Sequence, residues 1–405
     1  MNSIRVIVQK KKCVSCGACN INCPNDAINF IYSKKEERYL PHINKQKCNN
    51  CGLCRKMCPK FNEHCDDLLL GNSLANYLAY SIDNKVREEA TSGGVVNSIV
   101  RYLVENKYVD AAFIVSKSDN EIESDVKVIT LTNISEMKNK PRNYASRYVT
   151  VPLLKAITLD YEKIAIVGTP CQIHASTLLA CEYRKRIVFR IGIACSAGLS
   201  YEATKQYKHL LKMEKGSIYY RGKGWPGKNS LYSGDEKIEV DHLGSLFERM
   251  YSSQIFKLRG CRTCNDQFAS MSDISVCDYW DDEEKRNEKI GKSCVIVRNK
   301  NALNIWEELI NQQYVNISKS LSNKEVIRTQ RYVLVSKKNY KSFWIRCYYK
   351  IVDIFVSLKI YKLFNFFEYE FLSRIYGKIL VLVGRKYEDI RCQVNEKKNK
   401  EDYEK

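Results

Sequence analysis

Along most of the chain, short apolar runs are separated by stretches in which apolar positions return every three or four residues. Val95, Val96, Ile99, Val100, Leu103 and Val104 recur at helical spacing. Thr91, Ser92 and two glycines stand ahead of them, where an N-cap belongs. Ala111–Val115 follows as a continuous apolar run, the pattern of a buried strand. Ile164–Val167 is another strand, broken by Gly168-Thr169-Pro170, with a helix expected to start near Cys171. Ile187–Ile193 repeats the arrangement and turns at Cys195. Strands alternating with helices predict an α/β layer with parallel strands. Residues 215–300 are turn-rich, with strands predicted at Ser217–Tyr220, Ile274–Cys277 and Val295–Val297. Residues 341–384 read as helical, rich in Tyr and Phe and studded with cations. The last ten residues, EKKNKEDYEK, read as a disordered tail.

The first 60 residues follow neither period. CVSCGACNINCP and CNNCGLCRKMCP repeat one spacing, so Cys13, Cys16, Cys19 and Cys23 are matched by Cys48, Cys51, Cys54 and Cys58. Each run is C-x-x-C-x-x-C-x-x-x-C and ends in Pro24 or Pro59. Thiolates are soft ligands suited to iron–sulfur cores. In this spacing three cysteines wrap one cubane and the fourth serves the other. Cys13, Cys16, Cys19 and Cys58 are thus expected to hold one 4Fe–4S cluster, and Cys48, Cys51, Cys54 and Cys23 a second. Zinc is the alternative, but zinc sites use four ligands in two pairs. The module resembles the bacterial two-cluster ferredoxins, with a longer segment between Cys23 and Cys48 that has room for a hairpin.

Composition sets bounds on the rest. The 405 residues suggest two or three domains, and 18 cysteines exceed what packing needs. The opening MNSIRVIVQKKKC lacks the apolar core of a signal peptide, so a cytoplasmic setting is expected and disulfides are not. The net charge of +20 is spread along the chain, and no basic block with interleaved aromatics points to nucleic acid. No apolar run of about 18 residues predicts a spanning helix.

A second group of cysteines lies downstream. Cys171 and Cys195 each follow a predicted parallel strand, and the carboxyl ends of such strands share one sheet edge, where ligands bind. Cys261 and Cys264 form a C-x-x-C that can fold over to complete four ligands for a third 4Fe–4S cluster. Free buried cysteines and zinc are the alternatives here, and Cys277 is a fifth candidate ligand. RGKGWPG carries G-x-G-x-x-G at Gly222, Gly224 and Gly227, but no helix pattern follows it. It reads as a loop that lets backbone approach a flat cofactor or a phosphate, or as a plain surface loop. Ser92, Gly93 and Gly94 offer backbone N–H groups to a phosphate, with simple N-capping as the alternative. Arg142, Arg147 and Tyr148 are weaker candidates for holding a phosphate or stacking a ring. His174, a turn from Cys171, reads as a structural residue.

The stretches SGGVVNSIVRYLVE, SRYV, IVGTPCQI, YRGKGWPG, and CRTCND followed by SDISVCDYW resemble the family of coenzyme F420 hydrogenase/dehydrogenase beta subunits. The resemblance implies a flavin-bearing subunit, with FAD, and a 4Fe–4S cluster. It also implies hydride exchange with a small carrier such as a deazaflavin. Ser196-Ala197 stands where the family commonly has His-Gly, and Cys277 where it commonly has Gly.

The fold class expected is α+β: a ferredoxin module over residues 1–62, an α/β flavin-binding region, and a C-terminal helical tail. The boundaries expected for the rest are 73–160, 161–340 and 341–405. The function expected is an iron–sulfur flavoprotein oxidoreductase. The rivals are a non-catalytic relay subunit that feeds a partner enzyme and a thiol or disulfide reductase using Cys261 and Cys264. The partner expected is a redox protein or a small hydride carrier. Residues 341–384 are expected to make a peripheral membrane or partner contact, against the alternative that they pack on the protein's own core.

Overall fold

A computed structural model describes residues 3–62, 70–117, 124–135 and 160–401. The cysteine-rich module turns on Gly17 (φ 82°) and Gly52 (φ 78°), each left-handed and each opening a one-turn helix, Ala18–Ile21 and Leu53–Lys56. Only glycine takes that conformation without strain. The long segment between the two cysteine runs forms an antiparallel hairpin of β1 (Ile28–Ser33) and β2 (Arg38–Ile43).

The body is built on one sheet of eight strands. In chain order these are β3 (Ala75–Ser81), β4 (Ala111–Lys117), β5 (Ser124–Ile129), β6 (Ile164–Gly168) and β7 (Ile187–Ile193). After a separate three-stranded sheet of β8 (Ser217–Tyr219), β9 (Lys228–Ser233) and β10 (Glu236–Asp241) come β11 (Ile274–Asp278), β12 (Ser293–Val297) and β13 (Val315–Ser320). The order across the large sheet is β13-β3-β12-β11-β7-β6-β4-β5. The parallel layer expected from the sequence is confined to its centre, β4, β6, β7 and β11. The remaining pairings, β11–β12, β12–β3, β3–β13 and β4–β5, are antiparallel, so the sheet is mixed. Ser217–Tyr219 does form a strand, but in the small sheet.

The central strands are apolar on both sides because both faces are covered. Helices Val95–Glu105 and Lys300–Asn311 cover one face, packing Ile99, Leu103, Trp306 and Leu309 onto Ala165, Ile191 and Val295. Helix Pro170–Thr177 and the cysteine-rich module cover the opposite face, where Val14, Ala18 and Ile21 meet Phe113, Ile166 and Ile173.

The C-terminal region is helical, as Phe343–Ser357, a 3-10 turn at Ile360–Leu363, and Phe366–Glu401. The tail expected to be disordered is therefore helical as far as Glu401, in a stretch of strong helix formers. One face of this region packs on the body through Ile345, Tyr348, Val352, Tyr369 and Leu380. The other is exposed: Phe343, Trp344, Ile351 and Ile354 on the first helix, Leu358 at its C-cap, then Leu363 (83%) and Phe367 (74%). At about 100° per residue, the four on the first helix fall within about 100° of arc. Tyr361, which a helix continued from Ile351, Ile354 and Leu358 would bring to the same face, is buried, because the chain turns at Lys359 (φ 56°). Among the described residues no helix is long and apolar enough to cross a membrane.

Candidate iron–sulfur and cofactor sites

The ferredoxin cysteines gather in two groups. Cys13, Cys16, Cys19 and Cys58 are buried. Burial pushes the Cys16 thiol well up, and Cys58, Cys171 and Cys13 add to it. Burial does the same to Cys19, with Cys13, Cys16 and Cys58 next. Cys58 is pushed up to about 11, by burial first. In the second group, Cys54 is raised by burial and then by Cys23 and Cys48, while Cys51 is exposed. Crowded, shielded thiols hold their protons until a metal displaces them. Backbone N–H groups point at two of the sulfurs, Ser15 to Cys13 Sγ (3.3 Å) and Ala27 to Cys23 Sγ (3.2 Å). The buried Arg38 braces the first group, donating to the Cys13 carbonyl and pairing with Glu36 at 2.7 Å.

The third group assembles from three elements. Thr169 caps helix Pro170–Thr177 through a capping box with Gln172, which fixes Cys171 at the helix start. Cys195 lies just past β7, whose parallel neighbour is β6, so both cysteines sit at one sheet edge. Helix Arg259–Arg262 and the turn after it bring Cys261 and Cys264. Burial pushes the Cys171 thiol up to about 12; Thr169 opposes this, and Cys261, Cys195 and Cys264 add to it. The Gly198 amide donates to Cys261 Sγ at 3.2 Å. Among the described residues no three His, Cys, Asp or Glu side chains close on a single metal ion. A four-iron cubane is several atoms across and needs a wider ring of thiolates than one ion does. Cys277 is elsewhere: it faces Cys294 across β11 and β12, and the hydrogen bond with Cys294, then burial, pushes its thiol well up.

The first and third groups touch. Cys16 belongs to the buried cluster against which Cys171 and Cys261 pack. Asn22 Oδ1 accepts from the Ala180 amide at 2.7 Å, Tyr201 donates its amide to the Glu37 carbonyl at 2.9 Å, and Tyr32 stacks on Tyr201 at 6.1 Å.

Beyond the third group lies a shallow cleft, open to solvent, at the carboxyl ends of β7 and β11. Thr91, Ser92, Gly94, Ile193, Val276 and Ser293 line it. Ser92 and Gly94 therefore do stand at a cavity. The Gly93 amide is already taken by Ser293 Oγ (2.9 Å), and a Cβ there would lie 2.7 Å from Ser293 N, so this glycine serves packing. Gly222, Gly224 and Gly227 are also largely used within the protein. A Cβ on Gly224 would lie 2.5 Å from the Lys289 carbonyl, and the Gly224 amide donates to Glu88 O at 2.9 Å. A strand, not a helix, follows at Lys228, which excludes a dinucleotide-binding turn. Arg147 and Tyr148, with Arg142, lie outside the described residues.

Sequence reasoning missed the groups that join this loop to the cleft. Arg221 pairs with Asp278 at 2.6 Å and donates to the Thr91 carbonyl at 2.6 Å. Trp225 lies 5.1 Å from Trp280. His242 Nδ1 is buried without a hydrogen-bond partner, and burial, then Arg221, pushes the imidazole down to about 3. Arg221, Trp225, Asp278 and Trp280 lie inside the quoted stretches YRGKGWPG and SDISVCDYW.

Three family profiles match the chain. They are the 4Fe-4S dicluster domain over residues 12–62 and the N-terminal and C-terminal regions of the coenzyme F420 hydrogenase/dehydrogenase beta subunit over 76–158 and 161–322. A subunit of the F(420)H(2) dehydrogenase of Methanosarcina mazei is 25% identical over 67% of this chain and 77% of its own length. The coenzyme F420-dependent sulfite reductase of Methanocaldococcus jannaschii is 28% identical over 67% of this chain, which spans only 42% of that enzyme. The beta subunit of the coenzyme F420 hydrogenase of Methanococcus voltae is 27% identical over 51% of this chain and 72% of its own. A chain of the F420-reducing [NiFe] hydrogenase complex from Methanosarcina barkeri shares the fold, with TM-score 0.53 and 16% identity over 68% of this chain and 94% of that one.

Proposed function

Because the chain belongs to the family of coenzyme F420 hydrogenase/dehydrogenase beta subunits, with a 4Fe-4S dicluster domain ahead of the matched region, we propose that it is an iron–sulfur flavoprotein oxidoreductase. Cys13, Cys16, Cys19 and Cys58 hold one cluster; Cys23, Cys48, Cys51 and Cys54 hold the second; Cys171, Cys195, Cys261 and Cys264 hold a third. The observation that carries the reading is the packing of the cysteine-rich module on the sheet edge, where Val14, Cys16 and Ala18 share one buried cluster with Ile166 and Ile173 and Cys171 packs against it. The four soft donors at each site suit iron–sulfur cores. A flavin, FAD, in the cleft beside Thr91, Ser92 and Gly94 supplies the two-electron hydride exchange that clusters cannot perform. There Ser92 and Gly94 would hold its polar end, and Arg221, paired with Asp278, braces the Thr91 carbonyl behind them. Electrons pass between the clusters and a small hydride carrier or a redox partner protein.

The test is a cofactor inventory of anaerobically purified protein. About twelve irons with matching sulfide, for three cubanes, and an extractable flavin bleached by a hydride donor are expected. Full iron without flavin, and no binding of added flavin, sinks the hydride step and leaves an electron-relay subunit.

For the exposed face of the C-terminal helices we propose one occupant, the surface of an anionic bilayer, on the inner side of the membrane of a cytoplasmic protein. Arg346, Lys350, Lys362 and Lys378 are exposed on the same helical segment as its aromatic and aliphatic residues. That combination of apolar side chains and cations suits interfacial docking.

A further inference from the structure

The chain beyond residue 322, where the beta subunit match stops, walls the outer side of the third cysteine group. Asp353 pairs with Arg259 and Arg262 at 3.1 and 3.0 Å, and the Tyr349 ring centre lies 4.3 Å from the Arg262 guanidinium. From helix Arg331–Lys338, Lys337 reaches inward. Its Nζ donates to the Asp266 carbonyl at 2.8 Å and to Cys264 Sγ at 3.5 Å. The residue is 3% exposed.

A buried ammonium is stable only where negative charge faces it. The Asp266 carboxylate is largely occupied, accepting from the Phe268 amide and from the Ser270 amide and hydroxyl. Besides the Asp266 carbonyl, the group that Lys337 Nζ reaches is the Cys264 sulfur, which becomes a thiolate when a cluster binds. Lys257, also buried nearby, lies over the Tyr349 ring at 5.9 Å and within electrostatic range of Cys261, whereas Lys337 hydrogen-bonds a sulfur directly. We propose that Lys337 is the fixed counter-cation of the iron–sulfur centre held by Cys171, Cys195, Cys261 and Cys264, and that it raises that centre's reduction potential. This rests on the third-centre reading above. A cation and an N–H donor at a cluster sulfur favour the more negative, reduced state, because they offset the added electron. Lys337 is thus a positioning charge, supplied from outside the part of the chain that matches the family.

The test uses the full-length protein, purified anaerobically, with iron counted and each cluster titrated by potentiometry under electron paramagnetic resonance. Cys261→Ser identifies the third signal by its loss. Lys337→Gln is expected to shift that signal alone by at least tenfold in its reduction equilibrium, about 59 mV to more negative potential for one electron. Lys337→Arg is expected to stay near the wild-type value. If Lys337→Gln sheds the third centre, its retention in Lys337→Arg supports the proposal and its loss there overturns it. An unshifted potential in Lys337→Gln, or equal shifts in both variants, overturns the role of Lys337 while the third centre stands. A wild-type protein with only about eight irons, none lost in Cys261→Ser, overturns the third centre and this proposal together.

Discussion

Gly260 meets the backbone of Lys12 so closely that a Cβ on it would lie 2.3 Å from the Lys12 carbonyl oxygen. Each residue precedes a proposed ligand, Cys261 and Cys13, so this contact fixes the spacing between the first and third cysteine groups. Gly260→Ala is expected to cost about 1–3 kcal/mol by overpacking and to slow electron passage between the clusters. Thermal unfolding and stopped-flow reduction of the anaerobic protein check this. A variant with wild-type stability and reduction rate shows that the contact does not set the spacing.

Cys261→Ser is expected to remove about four irons and leave about eight. Cys277→Ser is expected to remove none, since Cys277 faces Cys294 in the core. Iron and sulfide analysis of the two variants decides between the ligand sets. Iron loss from Cys277→Ser alone would show that the fourth ligand is misassigned.

His242 gives the protein a pH signature. Its folded pKa is depressed to about 3, against an ordinary value of about 6.5. Between those two values the unfolded chain binds a proton that the folded chain refuses, so stability rises with pH. From pH 7 downward, stability is expected to fall by up to about 1.4 kcal/mol per pH unit from this residue. Urea unfolding at pH 7, 6 and 5 measures the slope, and His242→Gln is expected to flatten it. An unchanged slope in that variant assigns the effect to other groups.

The exposed helical face is tested with vesicles. The full chain is expected to co-sediment with anionic vesicles and not with neutral ones, with Trp344 emission shifting to the blue. Phe367→Ser combined with Phe371→Ser is expected to release it. Binding to neither vesicle, or to both equally, argues against lipid as the occupant, and self-association of the wild type removed by the same pair points to a second copy.

Much of this was readable in the chain because local chemistry decided it. The doubled cysteine spacing, the strands ending before Cys171 and Cys195, and the lack of a helix after the glycine loop all follow from residues close in sequence. Strand direction does not. An apolar run such as Ser293–Val297 looks the same in either sense, and its antiparallel pairing is set by partners far along the chain. The Cys277–Cys294 facing pair depends on register alone. Residues 341–384 were legible as helical, but helical period cannot say whether a face points to core or solvent. Lys337 was one cation among many until the fold laid it on Cys264.

The place of β3 in the sheet also bears on synthesis. Asn76, on β3, donates to the carbonyl of Leu321, which lies 245 residues later. At about 5–20 residues per second, roughly 12–50 s separate their emergence from the ribosome. Through that interval the nascent β3 has neither neighbour in the sheet, since β12 and β13 are both still to be made. The cysteine-rich module has all its proposed ligands by Cys58 and is expected to take up iron early. The body waits for its last strands, so a nascent chain is expected to spend tens of seconds with a metallated head and an open sheet. Production of the whole molecule then depends on chaperones as much as on the iron supply.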